Sequence, residues 1–488
     1  MAATTEPERT TLGGPRRLKL LDVIAQSIGF MGPVFSIAFL VPLLVGLNAS
    51  GSGAGLAAPL SVLIAAIGVL GLGWIVSQYA KRIHAAGSLY DYVTHGLGAR
   101  VGVASGLLYY AGILVLGGGL LVMIGGTIHD TIKAEFNAEP LPGLGWDLVL
   151  LVLLAAVLYF GVALSTRAQL VLALLSLTAV LVFAIFVIVK VGADNQVAKA
   201  FSPSGSPQGF GGVLFGVLYG VLLFTGFETS ANLGEETEHP KRDIPRAVII
   251  SVLAIAGFYI LVSYAQIAGF HFDLATIGKN AGAPLFGLAG PVSDGGFGSV
   301  AVRRLVELVV VLDMLAVVLG CSVASSRGLF ALARDRHLPR ALAAVSARGT
   351  PLVASGVVLA FYLVCIVATQ WWTGLVAQPG MPHYVAMFSW GSTFGSFSLS
   401  IIYLLMSVGA LRRLREDTAP WTVVVAGVVG IAVTAGAIFG AVYKVSSPVI
   451  YAPWTSLVVL AVGLVLSFVL ARRGDRSAGS GRVAEPTA

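Results

Sequence analysis

The sequence predicts an all-α polytopic membrane protein with 12 transmembrane helices. Three observations predict it. Of 488 residues, 57% are hydrophobic and 11% charged, whereas soluble domains carry about 25% charged residues. Mean hydropathy is +0.91. No Asp, Glu, Lys or Arg occurs from Val23 to Ala80 or from Gly349 to Leu411, and each stretch outruns a single span of about 20 residues.

Hydropathy and breaker residues place the spans near 22–47, 54–80, 97–128, 147–166, 168–192, 210–233, 246–270, 298–332, 351–372, 384–410, 421–443 and 453–472. The first follows a charged, Thr-rich leader without a small-residue cleavage site, so it reads as a retained helix. The third and eighth exceed the length needed to span, which implies tilt or extension past the bilayer. Segments 193–209 and 271–297 read as outer loops, the latter with a short helix over Ala283 to Gly290. Tails 1–15 and 474–488 are polar and rich in small residues, as in disordered termini.

Basic residues cluster at span ends: Arg16, Arg17 and Lys19; Lys81 and Arg82; Arg334, Arg336 and Arg340; Arg412, Arg413 and Arg415; Arg472, Arg473 and Arg476. In this threading they fall on one side, the cytoplasmic side of a plasma membrane, together with both termini. The net charge of +7 is therefore directed at the lipid bilayer. No basic patch interleaved with aromatics suggests nucleic acid. Cys321 and Cys365 lie inside apolar spans, and no outer loop carries a cysteine, so no disulfide-linked subunit is expected.

Two spans are interrupted. Gly29, Gly32 and Pro33 fall near the middle of the first, where proline cannot donate and glycine relaxes the backbone. Gly226 and Glu228 interrupt the sixth, ahead of a polar loop with Glu235, Glu236 and Glu238. Unpaired backbone groups in a bilayer are tolerated only where they face a ligand, a cavity or protein. A proline kink alone would explain the first span. The pairing adds meaning, because first and sixth are equivalent positions in two five-helix halves, the pattern of an inverted-repeat transport site. Half-helix N-termini favour a carboxylate, and free carbonyls favour an ammonium or cation. The pair suits amino acids or related amines.

The residues also carry a family resemblance. The run from Gly226 to Val248, GFETSANLGEETEHPKRDIPRAV, resembles the sixth helix and following loop of the amino acid–polyamine–organocation (APC) permeases. Ser325–Pro339 resembles the end of that family's eighth helix, and Ala85–Val93 its loop before the third. The resemblance covers roughly residues 20–415. It implies a leucine-transporter-type 5+5 inverted repeat plus two extra helices. The parts would be a tail at 1–20, a first repeat at 21–195, a second at 196–415, spans eleven and twelve at 416–473, and a tail at 474–488. Carried over, it implies that the stretch of Ile28, Gly29, Phe30, Met31, Gly32 and Pro33 cradles a carboxylate with its available backbone N–H groups. It implies that Phe224, Thr225, Gly226 and Phe227 offer carbonyls and an aromatic lid to an amine. Tyr110, Ala111 and Gly112 would line the pocket. The chain departs from the family in placing bulky Phe30 and Met31 in the first break. It also has Ser176 near the place where some proton-coupled relatives carry a lysine on helix five.

Several side chains carry two readings. Glu228 could bind an amine or move a proton; holding the break open is the favoured role. Asp313, intramembrane in span eight, is thirteen residues from Ser326. That is about 20 Å along a helix and places it toward the outer vestibule, as a gate, a cation attractor or a satisfied structural acid. Ser322, Ser325 and Ser326 could contribute to a sodium site. Glu235, Glu236 and Arg327 are candidates for an inner charge gate, against the plain reading of a solvated loop. Glu307 follows Arg303 by four residues, an ordinary helical pair. The seven histidines lack metal-ligand spacing, and no nucleotide or nucleophile motif stands in context. The expected function is a secondary transporter of an amino acid or amine, coupled to H+, Na+ or exchange, with no cofactor and no enzymatic activity. The alternatives are a major-facilitator carrier, disfavoured by the short loop after span six, and a non-transporting nutrient sensor, disfavoured by short tails.

Overall fold

The computed structural model describes residues 17–46, 53–83, 85–160, 162–280, 283–346, 348–371, 382–414, 420–442 and 447–479. Among these the chain is helical, with only isolated bridges in place of strands. In order the helices are α1 (Leu20–Met31), α2 (Pro33–Val45), α3 (Ala58–Ala80), α4 (Leu89–Leu97), α5 (Ala99–Phe136), α6 (Gly143–Phe160), α7 (Val162–Val191), α8 (Val197–Ala200), α9 (Gly209–Leu223) and α10 (Pro240–Gly269). They continue as α11 (Leu274–Lys279), α12 (Pro284–Ala289), α13 (Val300–Arg334), α14 (Leu352–Trp371), α15 (His383–Arg412), α16 (Pro420–Val442) and α17 (Tyr451–Gly479).

Among the described residues, 11 segments are long and apolar enough to cross a membrane. The sequence leads one to expect 12. The difference is α9, which ends after 15 residues because the chain unwinds at Phe224. The break that marks span six thus keeps its helix below spanning length. The long third and eighth spans appear as α5, with 38 residues, and α13, with 35. The short helix expected over Ala283–Gly290 is α12.

Local chemistry sets both interruptions. α1 stops because Gly32 adopts φ 54°, ψ 64°, a left-handed conformation costing L-residues about 1–2 kcal/mol. Pro33 then opens α2 at a position where its missing N–H is harmless. In span six, Gly226 has φ 105°, and a short 3₁₀ segment over Thr229–Leu233 follows.

α5, α13 and α15 are the central pillars. α5 packs on α15 and α13, while α1 packs on α7, α10 and α13. In a bilayer, apolar burial drives helix association weakly, so small residues that let backbones approach matter more. Gly96 and Gly409 illustrate this, since a Cβ on Gly96 would lie 2.6 Å from the Gly409 Cα. Cys321 and Cys365 are both buried and free. The lipid-side faces are apolar, as at Val152, Phe160, Val189 and Trp454.

Candidate functional site

The two breaks face each other. The Ser27 hydroxyl of α1 donates to the Phe227 carbonyl at 2.7 Å and accepts from the Ser230 N–H at 3.2 Å. Thr229 returns its hydroxyl to the Gly226 carbonyl at 2.7 Å. Gln26 donates to the Gly320 carbonyl of α13 at 3.2 Å and accepts from Gln169 of α7 at 3.2 Å. The exposed backbone that a broken helix creates is thus largely satisfied by neighbouring side chains, as burial requires.

Each break is also tied to surrounding helices by one carboxylate. Glu228 is fully buried and accepts from the Tyr109 hydroxyl of α5 at 3.1 Å and the Tyr403 hydroxyl of α15 at 2.7 Å. Asp313 of α13, also fully buried, accepts at Oδ2 from the Val34 and Phe35 N–H groups at 2.9 and 2.8 Å. Its Oδ1 accepts from the Ser176 hydroxyl of α7 at 3.3 Å. Asp313 therefore stands at the first break, not in the outer vestibule that its helical distance from Ser326 suggested. Rise along α13 gives depth relative to α13 only, and the first break sits at that same depth.

Beside the breaks lies a cavity of about 330 Å³. Of the expected site residues, Phe30, Met31 and Thr225 line it. It lies on the α2 side of the first break, against Phe35, Phe39, Met123, Phe388 and Tyr219. The remaining expected residues are elsewhere. Ile28, Gly29, Gly32, Pro33, Phe224, Gly226 and Phe227 stand behind the wall, where Gly29 packs on Gln169 and Gly226 on the Phe30 ring. The Tyr110 hydroxyl donates to the Gly87 carbonyl at 2.8 Å and lies 3.2 Å from the Asn232 side-chain amide. Gly112 closes against Ser398, and Ala111 is not part of the lining. Position along α5 decides this for Gly112, since Leu116, Leu120 and Met123 line the cavity from that same helical face, one to three turns further along.

The three serines of α13 differ in their contacts. Ser322 donates to the Val318 carbonyl at 2.6 Å and lies 3.3 Å from the Tyr362 hydroxyl. Ser326 accepts from Arg327 at 3.0 Å, which sets a fixed cation beside any would-be sodium. Ser325 is buried without a hydrogen-bond partner among the described residues. Those residues also hold no cluster of three His, Cys, Asp or Glu suited to a metal.

On the opposite side from the cavity, the acids after span six meet the end of α13. Arg327 Nε lies 3.0 Å from Glu236 Oε1, with both side chains 3% exposed. Arg334 pairs with Glu235 at 2.5 Å, and the Ala86 N–H reaches the same carboxylate at 3.1 Å. Arg17 donates to the Glu235 carbonyl. The chain just before α1 pairs with this loop through Leu18, whose N–H and carbonyl bond the Glu236 carbonyl and the Glu238 N–H, each at 2.9 Å. Burial pushes the Glu236 carboxyl upward, partly opposed by Arg327. Asp91 of α4 is raised to about 7, first by burial and then by nearby Asp335.

Sequence reasoning missed Tyr109, Tyr403, Phe35, Phe39 and Phe388. A buried acid demands donors, but which spans supply them is a tertiary fact.

The amino acid permease family model matches residues 26–472. The chain is 25% identical to the branched-chain amino acid permease BcaP of Bacillus subtilis (strain 168), over 64% of this chain and 67% of that one. It is 24% identical to the methylthioribose transporter of the same organism, over 86% and 87%. Among solved structures, the Eremococcus coleocola manganese transporter in complex with an aromatic bis-isothiourea substituted compound superposes with TM-score 0.52 at 12% identity. That match covers 93% of this chain and 95% of that one. At such identity the likeness speaks for the fold alone, which is of the leucine-transporter type.

Proposed function

Since this chain belongs to the amino acid permease family, we propose that it is a secondary active transporter of an amino acid or related amine. Transport proceeds by alternating access across the plasma membrane, driven by a proton, sodium or exchange gradient. The observation that carries this reading is the pair of facing breaks beside a cavity of about 330 Å³, within the range of about 300–1,000 Å³ for small-molecule sites.

Residues 21–195 and 196–415 form the two repeats, 416–473 adds two peripheral helices, and both termini are cytoplasmic. The ionic cluster of Glu235, Glu236, Arg327 and Arg334 is then the closed inner gate, and the cavity is reached from outside. Glu228 and Asp313 hold the broken helices against α5, α7, α13 and α15. A swing of those helices must break the Tyr109, Tyr403 and Ser176 contacts. These contacts therefore set the balance between outward and inward states.

The test uses purified full-length protein. Thermal stabilisation is measured against a panel of amino acids and amines, with and without sodium. Hits go to uptake in proteoliposomes under imposed proton, sodium and exchange gradients. Saturable uptake under one gradient supports the reading. If no amino acid or amine stabilises or enters under any gradient, the reading fails.

A further inference from the structure

A helix that begins in the middle of a membrane presents free N–H groups and the positive end of its dipole, and so attracts an anion. In a broken-helix transporter that place suits a substrate carboxylate. Here it belongs to α2. Pro33 has no N–H, so the first free donors are Val34 and Phe35. Both are already given to one oxygen of Asp313, at 2.9 and 2.8 Å. The Ser176 hydroxyl, which also donates to the Leu172 carbonyl at 2.8 Å, stands 3.3 Å from the other oxygen. Among the described residues no Lys, Arg or His bridges Asp313. Its three donors are neutral, so the half-helix is its main positive partner.

The cavity wall is consistent with a seat already filled. Among the described residues no Lys, Arg or His lines it, so no fixed cation waits for an incoming carboxylate. Its polar lining is hydroxyl groups of serine, threonine and Tyr219. Its dominant feature is aromatic. The Phe35 ring lies 5.5 Å from Phe39 and 5.3 Å from Phe388, and Phe30 completes the cluster. Aromatic faces attract cations. Asp313 sits one residue behind this wall, bonded to the backbone of Phe35, and Glu228 occupies the second break. Each break thus holds one buried acid, beside an apolar, aromatic chamber.

We propose that Asp313 is a specificity-determining residue, an internal anion that fills the carboxylate seat of the broken first helix. The chain accordingly takes an apolar amine that has no free carboxylate. This rests on the transporter reading above and narrows it. An amino acid would have to place its carboxylate against Asp313 and lose to the corresponding amine. An aliphatic or arylalkyl amine keeps the favourable charge and loses nothing.

Matched pairs test the idea on the purified full-length protein: leucine against isoamylamine, and phenylalanine against 2-phenylethylamine. Affinity is read from ligand-dependent thermal stabilisation. The expected result is at least tenfold tighter binding of each amine. Asp313→Asn keeps an oxygen that can accept from Val34 and Phe35 but removes the charge. It is expected to narrow the amine-to-amino-acid ratio severalfold, chiefly by weakening the amines. A merely structural acid would lower stability and leave that ratio unchanged, which overturns the proposal. Equal or tighter binding of the amino acids, with saturable uptake, also overturns it while the transporter reading stands. Failure of both series to bind or enter sinks both.

Discussion

Phe30 and Gly226 meet across the two breaks: an ideal Cβ on Gly226 would lie 2.0 Å from Cδ1 of the Phe30 ring. The sixth span unwinds where the ring of the first span needs the room. Gly226 also holds φ 105°, a conformation that side-chain-bearing residues rarely adopt. Gly226→Ala thus meets a steric and a torsional obstacle together. Uptake is expected to fall at least tenfold, with a loss of stability on the order of 1–3 kcal/mol. Combining it with Phe30→Ala removes the collision and leaves the torsion. A double-mutant cycle should show partial recovery of stability. Strict additivity would mean that the ring is not the obstacle.

The buried pair of Arg327 and Glu236 makes a different prediction. Their nitrogen and oxygen are 3.0 Å apart and both side chains are 3% exposed. Removing one partner strands the other charge away from water. Arg327→Ala is expected to destabilise by about 3–5 kcal/mol. Replacing both together, with Arg327→Met and Glu236→Leu, should recover most of that loss while leaving the inner side leaky. The checks are chemical-denaturation midpoints in detergent and substrate-independent efflux from proteoliposomes. A double variant as unstable as the single one would contradict the account.

How far this site is legible in sequence depends on which residue is asked. Gly32, Pro33 and Gly226 announce themselves, because a breaker inside an apolar run marks where a spanning helix must unwind or kink. Arg303 and Glu307 lie 3.6 Å apart as their spacing implies. Glu235 and Arg334 could be matched from the side of the membrane on which their spans end. Asp313 could not be located, since its depth is fixed by how α13 packs against α1 and α7. How far along α5 the cavity lies was equally hidden. Gly112 and Leu116 share one helical face, so sequence cannot say that Leu116 rather than Gly112 meets the cavity. The shortness of α9 follows from where Phe224 leaves the helix, a boundary that propensity does not fix.

Glu235 offers a test of the inner gate. Its carboxylate receives Arg334 at 2.5 Å and the Ala86 N–H at 3.1 Å, and its carbonyl receives Arg17. Three separate chain segments converge on one residue. Glu235→Lys places like charge against Arg334 and should open the cytoplasmic side. A cysteine placed at position 86 would then label faster from the cytoplasmic face, and uptake would drop severalfold. Unchanged labelling with unchanged uptake would remove the gate from the mechanism.

Asp91 links the same region to pH. Burial, then the charge of Asp335, raises its carboxyl from 3.8 to about 7. Glu235 adds to that shift and Arg334 opposes it. A carboxyl raised in the folded protein is protonated there while already ionised in the unfolded chain. Its contribution to stability is complete below about pH 4 and is lost as pH rises through about 7. From this group alone the protein should be less stable at pH 8 than at pH 4, by up to about 4 kcal/mol. Asp91→Asn cannot ionise and should flatten that dependence, gaining on the wild type at pH 8 and matching it near pH 4. Unfolding midpoints in detergent across about pH 4–9 give the comparison. The neighbouring groups Tyr90, Arg334, Asp335 and Glu235 are unchanged in the variant. A slope that survives Asp91→Asn would assign the titration to one of them and not to Asp91.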